Sequence, residues 1–135
     1  GKIITRLLEE YKKEHEEEDL ENKADKVIEG STLAENWVKA IDIYGNEVDM
    51  ANWYYESNTD GTFILNTTSN IYNDIAGYKG SIVNNTIVGE IPAYIIKCTN
   101  GEIEEGKVNS LTYAFANIAN LTKLNDSLIS GFFAS

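Results

Sequence analysis

This 135-residue chain has only one proline, one cysteine, one methionine and one histidine. A single cysteine, Cys98, excludes an internal disulfide and a cysteine-based zinc cage, and His15 standing alone removes most histidine-dependent catalysis. Cations are scarce as well: 11 Lys and Arg stand against 22 Asp and Glu, a formal charge of −11. Duplex DNA, RNA and anionic membranes are bound through clustered cations, so no nucleic-acid partner is expected. No run approaches the roughly 18 apolar residues of a bilayer span, so no membrane insertion is expected either. With 42% hydrophobic residues the chain is still too apolar to be disordered, and its length suits one domain with an appendage.

What is abundant points to strands and turns. There are 16 isoleucines and 15 asparagines. Isoleucine packs well on pleated surfaces and asparagine tolerates positive φ, so a turn-rich β body is expected. The chain opens at Gly1, which fits a processed product, a fragment or a tag remnant, and no signal-peptide pattern is visible.

Residues 1–29 form the appendage. Ile3, Ile4, Leu7, Leu8 and Tyr11 follow the spacing of one helical face, and Leu20, Ala24, Val27 and Ile28 resume a stripe, so the pattern predicts an acidic amphipathic helix from residue 2 to about 28. Lys12 to Asp19 is almost wholly charged, and a heptad through Ile4 and Tyr11 lands on Glu18 and Asp25, which argues against a long coiled coil. The first five apolar residues are therefore the candidate anchor or oligomer contact. Gly30 before Ser31 marks the helix stop, where glycine can take a left-handed cap.

From residue 30 to 135 the pattern is that of short strands. Val38 to Tyr44 and Glu47 to Met50 flank Gly45-Asn46 as a hairpin, and Asp60-Gly61, Asn84-Asn85 and Asn100-Gly101 mark further turns between apolar runs. Trp53, Tyr54 and Tyr55 form an aromatic cluster suited either to core packing or to a ligand platform. The fold class expected is α+β: an amino-terminal helix followed by a β-rich domain with a repeat-like end at 108–135.

Chemistry-bearing residues favour structural roles. His15 lies in a run of glutamates, where a solvated helix position is expected rather than a metal ligand, and Cys98 reads as a small buried hydrophobe. Glu102, Glu104 and Glu105 could supply a glycosidase carboxylate pair, but adjacent glutamates after a turn suit a solvated hairpin edge. Asn58 to Gly61 matches only part of a calcium loop and suits a turn. Asn66, Asn84, Asn120 and Asn125 each open a glycosylation sequon, which chance explains in so Asn-rich a chain. No catalytic residue, metal or cofactor is expected.

Ser110–Asn117 and Leu128–Ser135 align at an offset of 18, with an apolar residue followed by Phe and Ala in each. Val108 to Leu124, with its Ala-Phe step at Ala114-Phe115 and its Asn-Leu step at Asn120-Leu121, resembles the repeat of the BspA-like leucine-rich repeat family. Ile118-Ala119 stands where that repeat has its Cys or small residue. Ile87 to Gly101 is similar to the connectors before such repeats in phage-encoded and surface-exposed members, and Asn22 to Gly30 to the acidic helix leading into them. Residues 31–80 match no family feature. The resemblance implies a non-enzymatic binding and structural module on a virion or cell surface, with other protein subunits as partners and no fixed catalytic set.

The expectation is thus a structural or attachment protein, a phage virion component of the tail or head-decoration kind that assembles as a homo-oligomer. A bacterial surface adhesin fragment is the first alternative. A small acidic inhibitor that mimics nucleic acid, and would be cytoplasmic, is the second.

Overall fold

The computed structural model describes Ile4, Arg6, residues 20–118 and the backbone at 123–124. Along the chain lie α1 (Leu20–Glu29), β1 (Trp37–Ile41), β2 (Glu47–Val48), a 3-10 turn (Met50–Asn52), β3 (Glu56–Ser57) and β4 (Phe63–Ile64). Then come α2 (Thr68–Tyr72), β5 (Ile82–Val83), β6 (Thr86–Ile87), β7 (Tyr94–Thr99), β8 (Glu102–Ser110) and β9 (Lys123–Leu124). This is a mixed α+β, sheet-rich domain in which α1 is the only described helix of seven residues or more.

The helix predicted over residues 2 to 28 has its described part at Leu20–Glu29, and Ile4 and Arg6 are helical too. Ile3, Leu7, Leu8 and Tyr11 lie outside the described residues, as does His15. Within α1 the stripe of Leu20, Ala24, Val27 and Ile28 is the buried or half-buried face. Gly30 ends the helix without the left-handed conformation expected of it, since positive φ among the described glycines is confined to Gly45, Gly61 and Gly101. Instead the Gly30 amide donates to the Lys26 carbonyl at 3.2 Å, and Ser31 donates its hydroxyl to Val27 O at 2.5 Å. Carbonyls of the last turn are thereby satisfied by a continuing turn.

Two sheets follow. The larger has the order β2-β1-β7-β8-β4-β3, and the smaller β5-β6-β9. All pairs are antiparallel except β4 with β8 and β6 with β9. The hairpins expected at the Asn-rich turns form there: Asn84 and Asn85 have φ of 51° and 59°, and Asn100 and Gly101 have 51° and 85°. Two central residues at positive φ give the turn whose twist matches the strands, and Asn and Gly adopt it with little strain. The 44–46 turn joins β1 to β2 as expected, with Gly45 at φ 87°.

Strand alternation gives the larger sheet two buried faces. Ala40, Ile95 and Val48, with Val38, turn toward the main core of Trp53, Phe63, Leu65, Ile87, Leu111 and Phe115. Ile41, Ile96 and Tyr94 turn the other way, onto Leu20 and Ala24 of α1. Fully burying a large aliphatic or aromatic side chain is worth about 1.5–3 kcal/mol, so both layers contribute to holding the sheet. Glu102, Glu104 and Glu105 lie in the first part of β8, which pairs with β7, whereas β4 pairs with β8 at Val108 and Ser110.

Three stretches, 63–65, 77–78 and 86–87, pair in the same order with 108–110, 113–114 and 123–124. Phe63 is opposite Val108, the amides of Gly77 and Tyr78 donate to the carbonyls of Tyr113 and Ala114 at 3.1 and 2.8 Å, and Thr86 is opposite Lys123. Buried Asn66 holds the two sets together: its Nδ2 donates to Ile75 O at 3.0 Å and to Tyr113 O at 3.3 Å, while its Oδ1 accepts from the Thr67 amide. The second member of the 18-residue alignment, Leu128–Ser135, lies outside the described residues.

The backbones approach closely where glycine stands. A Cβ on Gly77 would sit 1.8 Å from Leu65 O, and one on Gly61 would meet nothing within 4 Å although Gly61 has φ 86°. Gly77→Ala should therefore lower stability by about 3 kcal/mol or more, whereas Gly61→Ala should lose only the ~1–2 kcal/mol of a left-handed alanine. Urea unfolding of both variants checks the order, and equal losses would contradict the packing at Gly77.

Candidate functional site

The aromatic cluster does not form one platform. Trp53 is buried in the main core, where its Nε1 donates to Glu90 O at 2.8 Å and its ring meets Tyr78 and Phe115 edge-on at 5.2 and 5.7 Å. Tyr55 is half-buried against the same core, with Phe63 at 6.3 Å. Tyr54 points the opposite way, as alternation along an extended segment requires, and carries the Lys79 ammonium 4.6 Å above its ring. Trp53 is therefore no ligand contact, because no solvent reaches its ring. Of the five candidate anchor residues, only Ile4 is described: it is half-buried against the main core.

The other candidates take structural places. Cys98 is buried in β7, with its thiol 3.5 Å from Leu33 O. Glu102 and Glu104 are exposed, while Glu105 is half-buried and accepts the Tyr94 hydroxyl at 2.8 Å. Burial of Tyr94 and then that carboxylate push the phenol well above its ordinary range. Asn58 to Gly61 is a turn: Asp60 accepts the side chain and the amide of Thr62, which lowers its carboxyl below the usual range. Among the described residues no three His, Cys, Asp or Glu side chains converge as metal ligands would, and no helix is long and apolar enough to cross a membrane. The Asn66 sequon is sealed inside the fold, whereas Asn84 is exposed at a hairpin tip; Asn120 and Asn125 lie outside the described residues.

A concavity of about 380 Å³ lies between α1 and the β1-β2 turn, lined by Lys23, Lys26, Val27, Tyr44, Gly45, Asn46 and Glu47. Its two walls are built differently. Lys23, Lys26 and Val27 share one face of α1 through their i, i+3, i+4 spacing. Lys23 lays its stem on Gly45, so close that a Cβ there would lie 3.2 Å from the Lys23 Cβ, and it donates Nζ to Ile43 O at 2.8 Å.

The opposite wall is a turn fixed from inside. Buried Asp42 accepts the amides of Tyr44 and Asn46 through one carboxylate oxygen at 2.9 and 3.0 Å, and its own amide donates to Asn46 O at 2.9 Å. Held this way, the turn presents the Tyr44 ring with 44% of the residue exposed. Glu47 stands on the rim, 3.9 Å from the Lys39 ammonium. Sequence reasoning missed this cleft. The helical spacing of Lys23, Lys26 and Val27 was visible, but not that α1 would lie across the turn.

Trp53→Ala should destabilise the fold by about 3–5 kcal/mol, as large core truncations do, while Tyr54→Ala should change it by less than about 1 kcal/mol. Chemical denaturation followed by circular dichroism checks both, and a small loss at Trp53 would contradict its place in the core. No family model matches the chain, and comparison with curated proteins and with solved structures finds no match.

Proposed function

We propose that this chain is a non-enzymatic structural or attachment protein, a phage virion component of the tail or head-decoration kind that displays a β-rich module to other protein subunits. The observation that supports this is the ordered pairing of residues 63–65, 77–78 and 86–87 with 108–110, 113–114 and 123–124. Segments that run parallel and bond at successive stations pack as neighbouring coils of a stack do, each covering the face the other leaves open. A leucine-rich-repeat-like end over 108–135 would build on that arrangement. The segment before Leu20, predicted from its sequence to be helical, would serve as anchor, and the sheet body would carry the display surface on a virion or cell exterior.

Assembly through the anchor has a simple energetic basis. Apolar side chains such as Ile3, Leu7, Leu8 and Tyr11, buried between copies at ~25 cal/mol per Å², would contribute several kcal/mol per copy before ordering is subtracted. Identical copies then reinforce one another through effective concentration. Ile4 is left out of that contact because it packs on the chain's own core.

The double substitution Leu7→Glu with Leu8→Glu tests the proposal. Light scattering should show a trimer or larger oligomer for the unmodified chain and a monomer for the variant, with the melting midpoint unchanged. A chain that is monomeric without the substitutions, or a variant that keeps the oligomer, would rule the anchor out.

A further inference from the structure

We propose that the cleft between α1 and the β1-β2 turn is a binding site for a carboxylated sugar of the hexuronate type. The inference rests on the attachment reading and names the ligand class through which attachment would occur. Three features of the cleft bear on the ligand, and each selects a different part of it.

Size and shape come first. At about 380 Å³ the concavity falls in the ~300–1,000 Å³ range of small-molecule sites, and it is open enough to admit one residue of a longer glycan. The exposed Tyr44 ring supplies the second feature. An aromatic face offers apolar contact to the C–H face of a pyranose. The Asp42 hydrogen bonds to the Tyr44 and Asn46 amides fix the backbone that carries it.

Charge is the third. In a chain of net charge −11, two of the eleven cations, Lys23 and Lys26, stand together on one wall. A carboxylate is the group the Lys26 ammonium would hold, as a point-charge contact, with the Lys23 ammonium, bonded to Ile43 O, adding its charge beside it. On the facing wall the Glu47 carboxylate, 3.9 Å from the Lys39 ammonium, and the Asn46 amide are acceptors and donors suited to sugar hydroxyls. A bare carboxylate would meet only the first wall and a neutral sugar only the second. A polyhydroxylated acid meets both.

Titration of the ¹⁵N-labelled chain with glucuronate, followed by amide chemical shifts, tests this, with glucose and acetate as controls. The expected result is saturable shifts confined to α1 and residues 42–47, several-fold weaker binding of glucose and of acetate, and weakening on added salt. Lys26→Glu and Tyr44→Ala should each reduce glucuronate affinity by about tenfold with the rest of the spectrum unchanged, since both side chains are exposed. Absence of shifts with glucuronate, equal binding of glucose, or unchanged affinity in both variants would overturn the proposal. The attachment reading fails separately, in the oligomer measurement on the Leu7→Glu, Leu8→Glu chain, which reads assembly and not glucuronate binding.

Discussion

One buried side-chain amide organises the arrangement of this domain. Asn66 has no exposed surface, so its polar atoms must be satisfied inside the protein or burial is unfavourable. They are satisfied by three different places in the chain: Thr67 beside it, Ile75 at the far end of the α2 excursion, and Tyr113 in the neighbouring segment. An apolar residue in its place could fill the volume but could not fix a separation between two backbones. Because Tyr113 O also accepts the Gly77 amide, the same carbonyl joins both segments twice. Glycine at 77 lets the chain fold back onto Leu65, and glycine at 106 lets β8 pass close to Gly61, each standing where a Cβ would fall 1.8 Å from a backbone oxygen.

The parts of the fold legible in the sequence are those set by neighbouring residues. Asn84-Asn85 and Asn100-Gly101 determine their turns because positive φ is a property of one residue and its own side chain. The stripe of α1 is legible for the same reason, its period being local. The parallel pairings were not legible. Phe63 meets Val108 and Thr86 meets Lys123, separations of 45 and 37 residues, through strands of as few as two residues that carry no periodicity of their own. The sequence resembles itself at an offset of 18, whereas the pairing in space joins segments whose sequences differ.

The site divides along the same line. Trp53 and Tyr55 share one side of an extended segment and Tyr54 takes the other, so counting by two separates the cluster that composition alone groups together. Glu102 to Glu105 show the limit of that counting. Alternation places Glu105 on the α1 side, but only the register of β8 on β7 brings it to the Tyr94 hydroxyl. The cleft was least legible, since it exists only because α1 is docked with Lys23 across Gly45, a contact between residues 22 positions apart.

The larger sheet separates two tasks. Its α1 side carries the cleft, and its opposite side carries the core that joins residues 63–87 to 108–118. A residue on β1 faces only one of these layers, so Ile41 supports the helix while Ala40 supports the paired segments. Exposed positions in the cleft, Lys26, Tyr44, Asn46 and Glu47, can therefore vary with little effect on the core beneath, whereas Asp42, buried beneath them, cannot. A recognition surface able to change while its scaffold stays fixed needs that separation, and a sheet covered on both faces provides it within a single small domain.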